Sequence, residues 1–266
     1  MRTTASSALV LLYILVGLAV SPAQAPPQNA SVGPLSHIQP ASSGYVFPDG
    51  QTLVYEAEWR LLSAGTARLT MDVAGAQQRV SATADSRGVV SLLYPVHDRF
   101  QATFDRASLC SQAISKHTEE GFHKRETLIN FNYSRRVSVL DETNLKNGQR
   151  KHAENEIPGC VTDVVSGIFY LAAQSLGPNA TYMFPTNDGG KTVDVTAKVE
   201  ARETVKTPAG SFAAIRVATE AASGPMKDRG KIWIWYSDDG KHLPVQMRAR
   251  LFWGGLIFRL ERIEKK

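Results

Sequence analysis

Hydrophobic and polar positions alternate along most of the chain. Leu53, Tyr55, Ala57 and Trp59 share one parity, against Val54, Glu56, Glu58 and Arg60. A two-residue period of this kind puts alternate side chains on opposite faces of a strand. After the turn signal Ser63-Ala64-Gly65 the alternation resumes with Ala67, Leu69, Met71 and Val73. The pair reads as a hairpin with one wet face and one buried face. Arg79 to Ala84 adds a third strand. Phe100, Ala102 and Phe104 mark an inward face between Asp98 and Asp105. Further strands follow, carrying Ile114, then Leu128 with Phe131, then Val137 with Val139. Thr181 to Pro185 and Thr192 to Thr204 read as strands, and Phe212 to Ala218 returns from the turn Thr207-Pro208-Ala209-Gly210. In the clearest hairpin, Ile232, Ile234 and Tyr236 share a face with Leu243, Val245 and Met247 across Ser237-Asp238-Asp239-Gly240. Gly88 to Tyr94 reads equally well as a helical turn or a buried strand.

One stretch changes period. Val161, Val165, Ile168, Phe169, Ala172 and Leu176 recur at spacings of three and four, which line one face of a helix. Thr162 is placed to cap it, Asp163 suits the positive end of its dipole, and Gly177-Pro178 ends it. Gly167 inside the helix implies a closely packed neighbour. The expected fold is therefore mainly β: antiparallel hairpins forming a curved sheet or open half-barrel around one central α-helix, about 162–176.

The N-terminus adds an address. Arg2 precedes the apolar run Ala8 to Val20, and Ala23-Gln24-Ala25 supplies a small-x-small cleavage pattern. That run of 13 residues suits a signal peptide and falls short of the roughly 20 that span a bilayer. Residues 1–25 are read as a signal peptide, 26–48 as a disordered Pro-rich linker, and 49–266 as a single β-rich domain with no transmembrane span. The expected location is periplasmic or secreted. The formal charge of +5 is concentrated: Pro225 to Lys266 holds ten Lys or Arg against five Asp or Glu. A solvated sheet face is the simplest reading of this excess; the alternatives are an anionic envelope surface and nucleic acid, and export argues against nucleic acid.

Cys110 and Cys160 are the only cysteines of a chain bound for an oxidising space, so a disulfide between them competes with two separate buried thiols. No Gly-x-Ser-x-Gly elbow, HExxH, phosphate-binding loop or dinucleotide fingerprint occurs. Neither cysteine has a second ligand at metal spacing, and no cofactor, metal or catalytic residue is expected. His97 adjoins Asp98, but neighbours on a strand face opposite ways. Glu56 and Glu58 share a face, where Arg60 and Arg68 point to ion pairing rather than acid–base work.

Several motifs together resemble domain-of-unknown-function family 3108, a family of exported bacterial proteins. They are Tyr55-Glu56-Ala57-Glu58-Trp59 with Ala64-Gly65; Leu93-Tyr94-Pro95-Val96 with Asp98; and Asp163 with Ser166. Thr207-Pro208-Ala209-Gly210-Ser211-Phe212 and Trp235-Tyr236-Ser237-Asp238-Asp239 with Leu243-Pro244-Val245 complete the set. The resemblance implies a mainly antiparallel β fold outside the cytoplasm and brings no established catalytic residues. Three functions follow as expectations. A concave sheet would hold an apolar or lipid-like ligand, lined by Trp59, Phe100, Phe104, Phe169 and Tyr236. Alternatively, an outer face carrying Trp233, Trp235, Arg248 and Arg250 would meet an envelope protein. The third, less favoured, is a carboxylate-dependent hydrolase.

Overall fold

A computed structural model describes residues 36–60, 62–221, 231–251 and 254–265. The signal-peptide stretch lies outside the described residues. The elements are β1 (Gln51–Trp59), β2 (Leu62–Ala74), β3 (Gln77–Ser86), α1 (Gly88–Leu93), β4 (His97–Asp105), β5 (Ser111–Glu120), β6 (His123–Asn132), β7 (Val137–Asn144), β8 (Arg150–Glu156), α2 (Val164–Ala172), β9 (Thr181–Thr186), β10 (Val193–Thr207), β11 (Gly210–Ala221), β12 (Lys231–Ser237), β13 (Pro244–Leu251) and β14 (Gly254–Lys265). Neither described helix is long and apolar enough to cross a membrane.

The fourteen strands of the described residues form one open antiparallel sheet, ordered β8-β7-β6-β5-β4-β3-β2-β1-β14-β13-β12-β11-β10-β9. Consecutive strands are neighbours almost throughout, as hairpin connections dictate. Two features break the run. β1 pairs with β14, so the first and last strands meet in mid-sheet. The connection from β8 to β9 joins the two sheet edges, and α2 lies within it. Gly65 permits close approach of β2 and β3: a Cβ there would sit 2.2 Å from the Asp85 carbonyl oxygen.

The sheet is not organised around one central helix. Hairpin pairing sets its order, and α2 is nine residues, one of two short helices among the described residues. It is shorter than 162–176 for identifiable reasons. Thr162 is held extended in a parallel bridge to Thr186, with its amide on the Pro185 carbonyl at 3.0 Å. Asp163 is therefore the cap, its carboxylate accepting from the Val165 and Ser166 amides at 2.9 Å each. At the far end outside groups take the carbonyls: His242 Nδ1 meets Ala172 O at 2.8 Å, and the Ser42 amide donates to Ala173 O at 2.8 Å. The helix is also buried on more than one face, since Tyr170 and Leu171 are enclosed along with Phe169. At Gly167 an added Cβ would meet nothing nearer than Thr162 Cγ2 at 3.7 Å, an ordinary contact rather than the close approach expected.

One large apolar cluster joins β1–β4, β9–β14 and α2; a smaller one joins Ala102, Ile114, Ile129, Phe131, Leu140, Ile157 and Val161. The linker reading is corrected over 36–48. Phe47 is buried with its ring 5.6 Å from that of Phe104, and Tyr45 packs edge-on to Phe47. The amide of His37 donates to Met183 O. Ile38, Tyr45 and Phe47 thus anchor a stretch whose proline content alone suggests disorder. Residues 26–35 lie outside the described residues. The ambiguous Gly88–Leu93 is the helical turn α1, and none of its residues is buried.

Candidate functional site

Strand parity decides which charges go inside. On β4 Asp98 shares the inward parity of Phe100, Ala102 and Phe104, and on β5 Lys116, Thr118 and Glu120 share that of Ile114. Asp98 is 0% exposed and Glu120 5%. The Glu119 amide donates to Asp98 Oδ1 at 2.9 Å. Burial, reinforced by the adjoining Glu120 carboxyl, pushes the Asp98 carboxyl up to about 8. Two carboxyls side by side in a medium of low dielectric cannot both ionise, so the pair retains a proton at neutral pH. His97, on the opposite face, bonds Asp85 at 3.0 Å instead.

A second charged pair is also buried. The Lys116 ammonium meets the Asp188 carboxylate, brought in by the loop between β9 and β10; both side chains are buried. Burial pushes the Asp188 carboxyl upward against the pull of Lys116. Asn187 shapes this loop: its Oδ1 accepts from the Gly189 amide at 2.8 Å, and its Nδ2 donates to Gly190 O and Thr192 Oγ1 at 2.9 Å each. Gly189, at φ 93°, presses so close to Ile129 and Leu140 that a Cβ would come within 2.6 Å of Ile129 Cδ1. Asn155 of β8 donates to Gly189 O at 3.0 Å. The loop beside one sheet edge thus docks against the other edge, bringing the edges together without strand pairing.

A third node fixes the edge-to-edge connection. Cys110 and Cys160 form a disulfide, joining the start of β5 to the segment before α2. Beside it the Ser111 amide donates to Val161 O at 2.9 Å, and Ser111 Oγ to Asp163 Oδ2 at 2.6 Å. Asp163 therefore caps α2 with one oxygen and ties it to β5 with the other.

Chemically, the Asp98–Glu120 pair can hold a proton and release it near neutral pH. It is closed from water, so it offers no acid–base chemistry to a substrate in this conformation. Among the described residues no group of three or more His, Cys, Asp or Glu is arranged to hold a metal ion.

The residues singled out from sequence fall into two places. Phe100, Phe104, Phe169 and Tyr236 are buried members of the large apolar cluster, and Trp59 packs at its margin. The Tyr236 hydroxyl donates to Ile168 O at 2.7 Å, and that of Tyr55 to Pro244 O at 2.7 Å. Trp233 and Trp235 lie across from Arg248 and Gln246, and Lys231 across from Arg250. Trp233 is half-buried, its ring 5.3 Å from Lys231 Nζ and 6.0 Å from the Arg248 guanidinium, with Nε1 donating to Glu200 at 3.2 Å. Trp235 is buried and donates to Glu203 at 2.7 Å. Glu58 pairs with Arg259, and Arg68 with Glu264. His117 bonds Glu126 and Glu119, which raise its pKa.

Sequence reasoning missed the Asp98–Glu120 pair. The signal was parity: each carboxylate continues an inward apolar row. What brings the rows together is the β4–β5 register, which shifts between Thr103 and Phe104 where no sequence pattern marks a bulge.

A family model of proteins of unknown function, DUF3108, matches residues 54–261. Among solved structures, a β-barrel-like protein of domain of unknown function DUF1849 from Brucella abortus is similar over 83% of this chain and 99% of its own, at 7% identity and a TM-score of 0.60. A candidate exported protein with a YmcC-like fold from Bacteroides fragilis aligns over 83% and 99%, at 13% identity and a TM-score of 0.37. A candidate lipoprotein from Parabacteroides distasonis aligns over 83% and 98%, at 12% identity and a TM-score of 0.36. The first likeness is one of fold alone. No curated protein matches the chain.

Proposed function

The chain belongs to the DUF3108 family, and from that premise we propose that it is an exported cell-envelope protein that acts by binding at its surface, without catalysis. The observation that carries this reading is where the aromatic rings go. Phe100, Phe104, Phe169 and Tyr236 are packed against one another's neighbours in a closed core, and an apolar ligand would have to displace them. Tyr55 and Tyr236 are held further by hydroxyl bonds to main-chain carbonyls. Outside, Trp233 stands between two cations on a ladder that also includes Arg216 and Glu200. Rigid aromatic surface flanked by Arg is the composition of interface hot spots. The Cys110–Cys160 disulfide supports export, because such bonds persist outside the reducing cytoplasm.

The test is native mass spectrometry of protein released from the periplasm without detergent, with thiol alkylation before reduction. The expected result is the mass of the chain alone, with neither cysteine alkylated. A stoichiometric apolar molecule would overturn the surface reading and make the core a ligand chamber. Two alkylated cysteines in a cytosolic fraction would overturn export.

A further inference from the structure

Antiparallel order puts the β1–β2, β3–β4, β5–β6 and β7–β8 connections at the same end of the sheet. These connections touch in sequence around that end. The Arg87 amide donates to Ala64 O at 2.8 Å, the Gly121 amide to Pro95 O at 2.8 Å, and the Leu145 amide to Lys124 O at 2.9 Å. The Tyr94 ring covers Gly121. On this crest Leu92 is 85% exposed, Leu93 78% and Phe122 84%, with Leu62, Val89 and Leu145 also exposed. Six of the ten exposed large apolar side chains among the described residues are thus gathered on four adjoining turns. Water disfavours every one of them, and nothing in the core needs them.

Charge says what covers them. Lys146 lies 5.1 Å over the Phe122 ring. Arg87, Arg150 and Lys151 are exposed at the same end. None of these four enters an ion pair among the described residues, whereas Asp85, Glu119, Glu58 and Glu142 at this end are each paired and Asp98 and Glu120 are buried. The apolar side chains thus stand on separate turns in the company of cations that enter no ion pair. The acyl–headgroup boundary of a bilayer accommodates exposed apolar tips, and anionic headgroups meet the cations.

We propose that this crest docks on an anionic phospholipid bilayer, with Leu92, Leu93 and Phe122 entering the acyl boundary. Export would place such a bilayer within reach, but the binding itself is independent of the Trp233 face and of whether the core is filled.

The experiment is flotation of the purified protein with vesicles of phosphatidylglycerol and phosphatidylethanolamine, compared with phosphatidylcholine alone. Wild type is expected to float with the anionic vesicles, and less so as salt is raised. Phe122→Asp should weaken partitioning about tenfold, and Leu92→Asp with Leu93→Asp about a hundredfold. All three side chains are exposed, so the thermal midpoints should not change. Lys146→Glu with Arg150→Glu should remove the preference for anionic vesicles. Failure of wild type to float, or undiminished flotation of the apolar-tip variants, overturns the proposal. So does a wild-type dimer in sedimentation that Leu92→Asp with Leu93→Asp converts to a monomer, because the crest would then cover a second copy. A ligand found inside the core would sink the surface reading above and leave this result untouched.

Discussion

Asp98 carries its proton into a pH range where an ordinary aspartate has long lost it. Folded, it titrates near 8 because it is buried beside Glu120; unfolded, it titrates near about 4. Between those values the native state binds the extra proton, so this contribution to stability is full at low pH and is lost as pH rises toward 8. The urea midpoint should therefore fall between pH 5 and pH 8.5. Asp98→Asn, which keeps the shape without the charge, should flatten that slope; an unchanged slope would assign the dependence elsewhere. The Lys116–Asp188 pair gives a second residue-scale outcome. Lys116→Met strands a buried carboxylate and should cost about 3–5 kcal/mol, while Lys116→Met with Asp188→Leu should recover most of it in the same urea titration. From sequence the inward parity of both residues was legible. Their partners were not, because cross-strand register and the depth of a Gly-rich loop are set by tertiary packing around Ile129 and Leu140.

The strands were legible as elements because each buries one face and wets the other, which writes a two-residue period into the chain. The helix was legible through its three-and-four spacing, but its ends were not. Thr162 has the right chemistry for a cap and is diverted to strand pairing with Thr186. The C-terminal turn is cut short by His242 and Ser42, groups distant in sequence. The Pro-rich approach to β1 was misread because composition weighs prolines and overlooks three anchoring apolar side chains. Glycines separate the cases at this scale. Gly167→Ala should raise stability by up to about 1 kcal/mol, since the new methyl meets only ordinary contacts. Gly65→Ala, forced against the Asp85 carbonyl, should lower it. Paired thermal melts with opposite shifts would bear this out, and a loss at Gly167 would mean that the helix is packed more tightly than its neighbours indicate.

At the scale of the molecule, the two sheet edges are held near each other by the Asn187–Gly190 loop and the Asn155 bond, and the disulfide ties the segment that connects them to the head of β5. The bond links residues 50 apart, for which the chain-entropy model gives roughly 4 kcal/mol. Replacing both cysteines with serine should cost about that much in urea titration, and a reductant should lower the wild-type thermal midpoint while leaving the serine variant unmoved. The meeting of β1 with β14 bears on when this sheet can exist at all. Their ladder runs from Gln51–Lys265 to Trp59–Leu256 and is the seam between two arms, β1 to β8 and β9 to β13. A nascent chain still lacking that final strand holds two unsutured arms, each with a bare row of amides. Only once β14 is made can the two arms close into a single sheet.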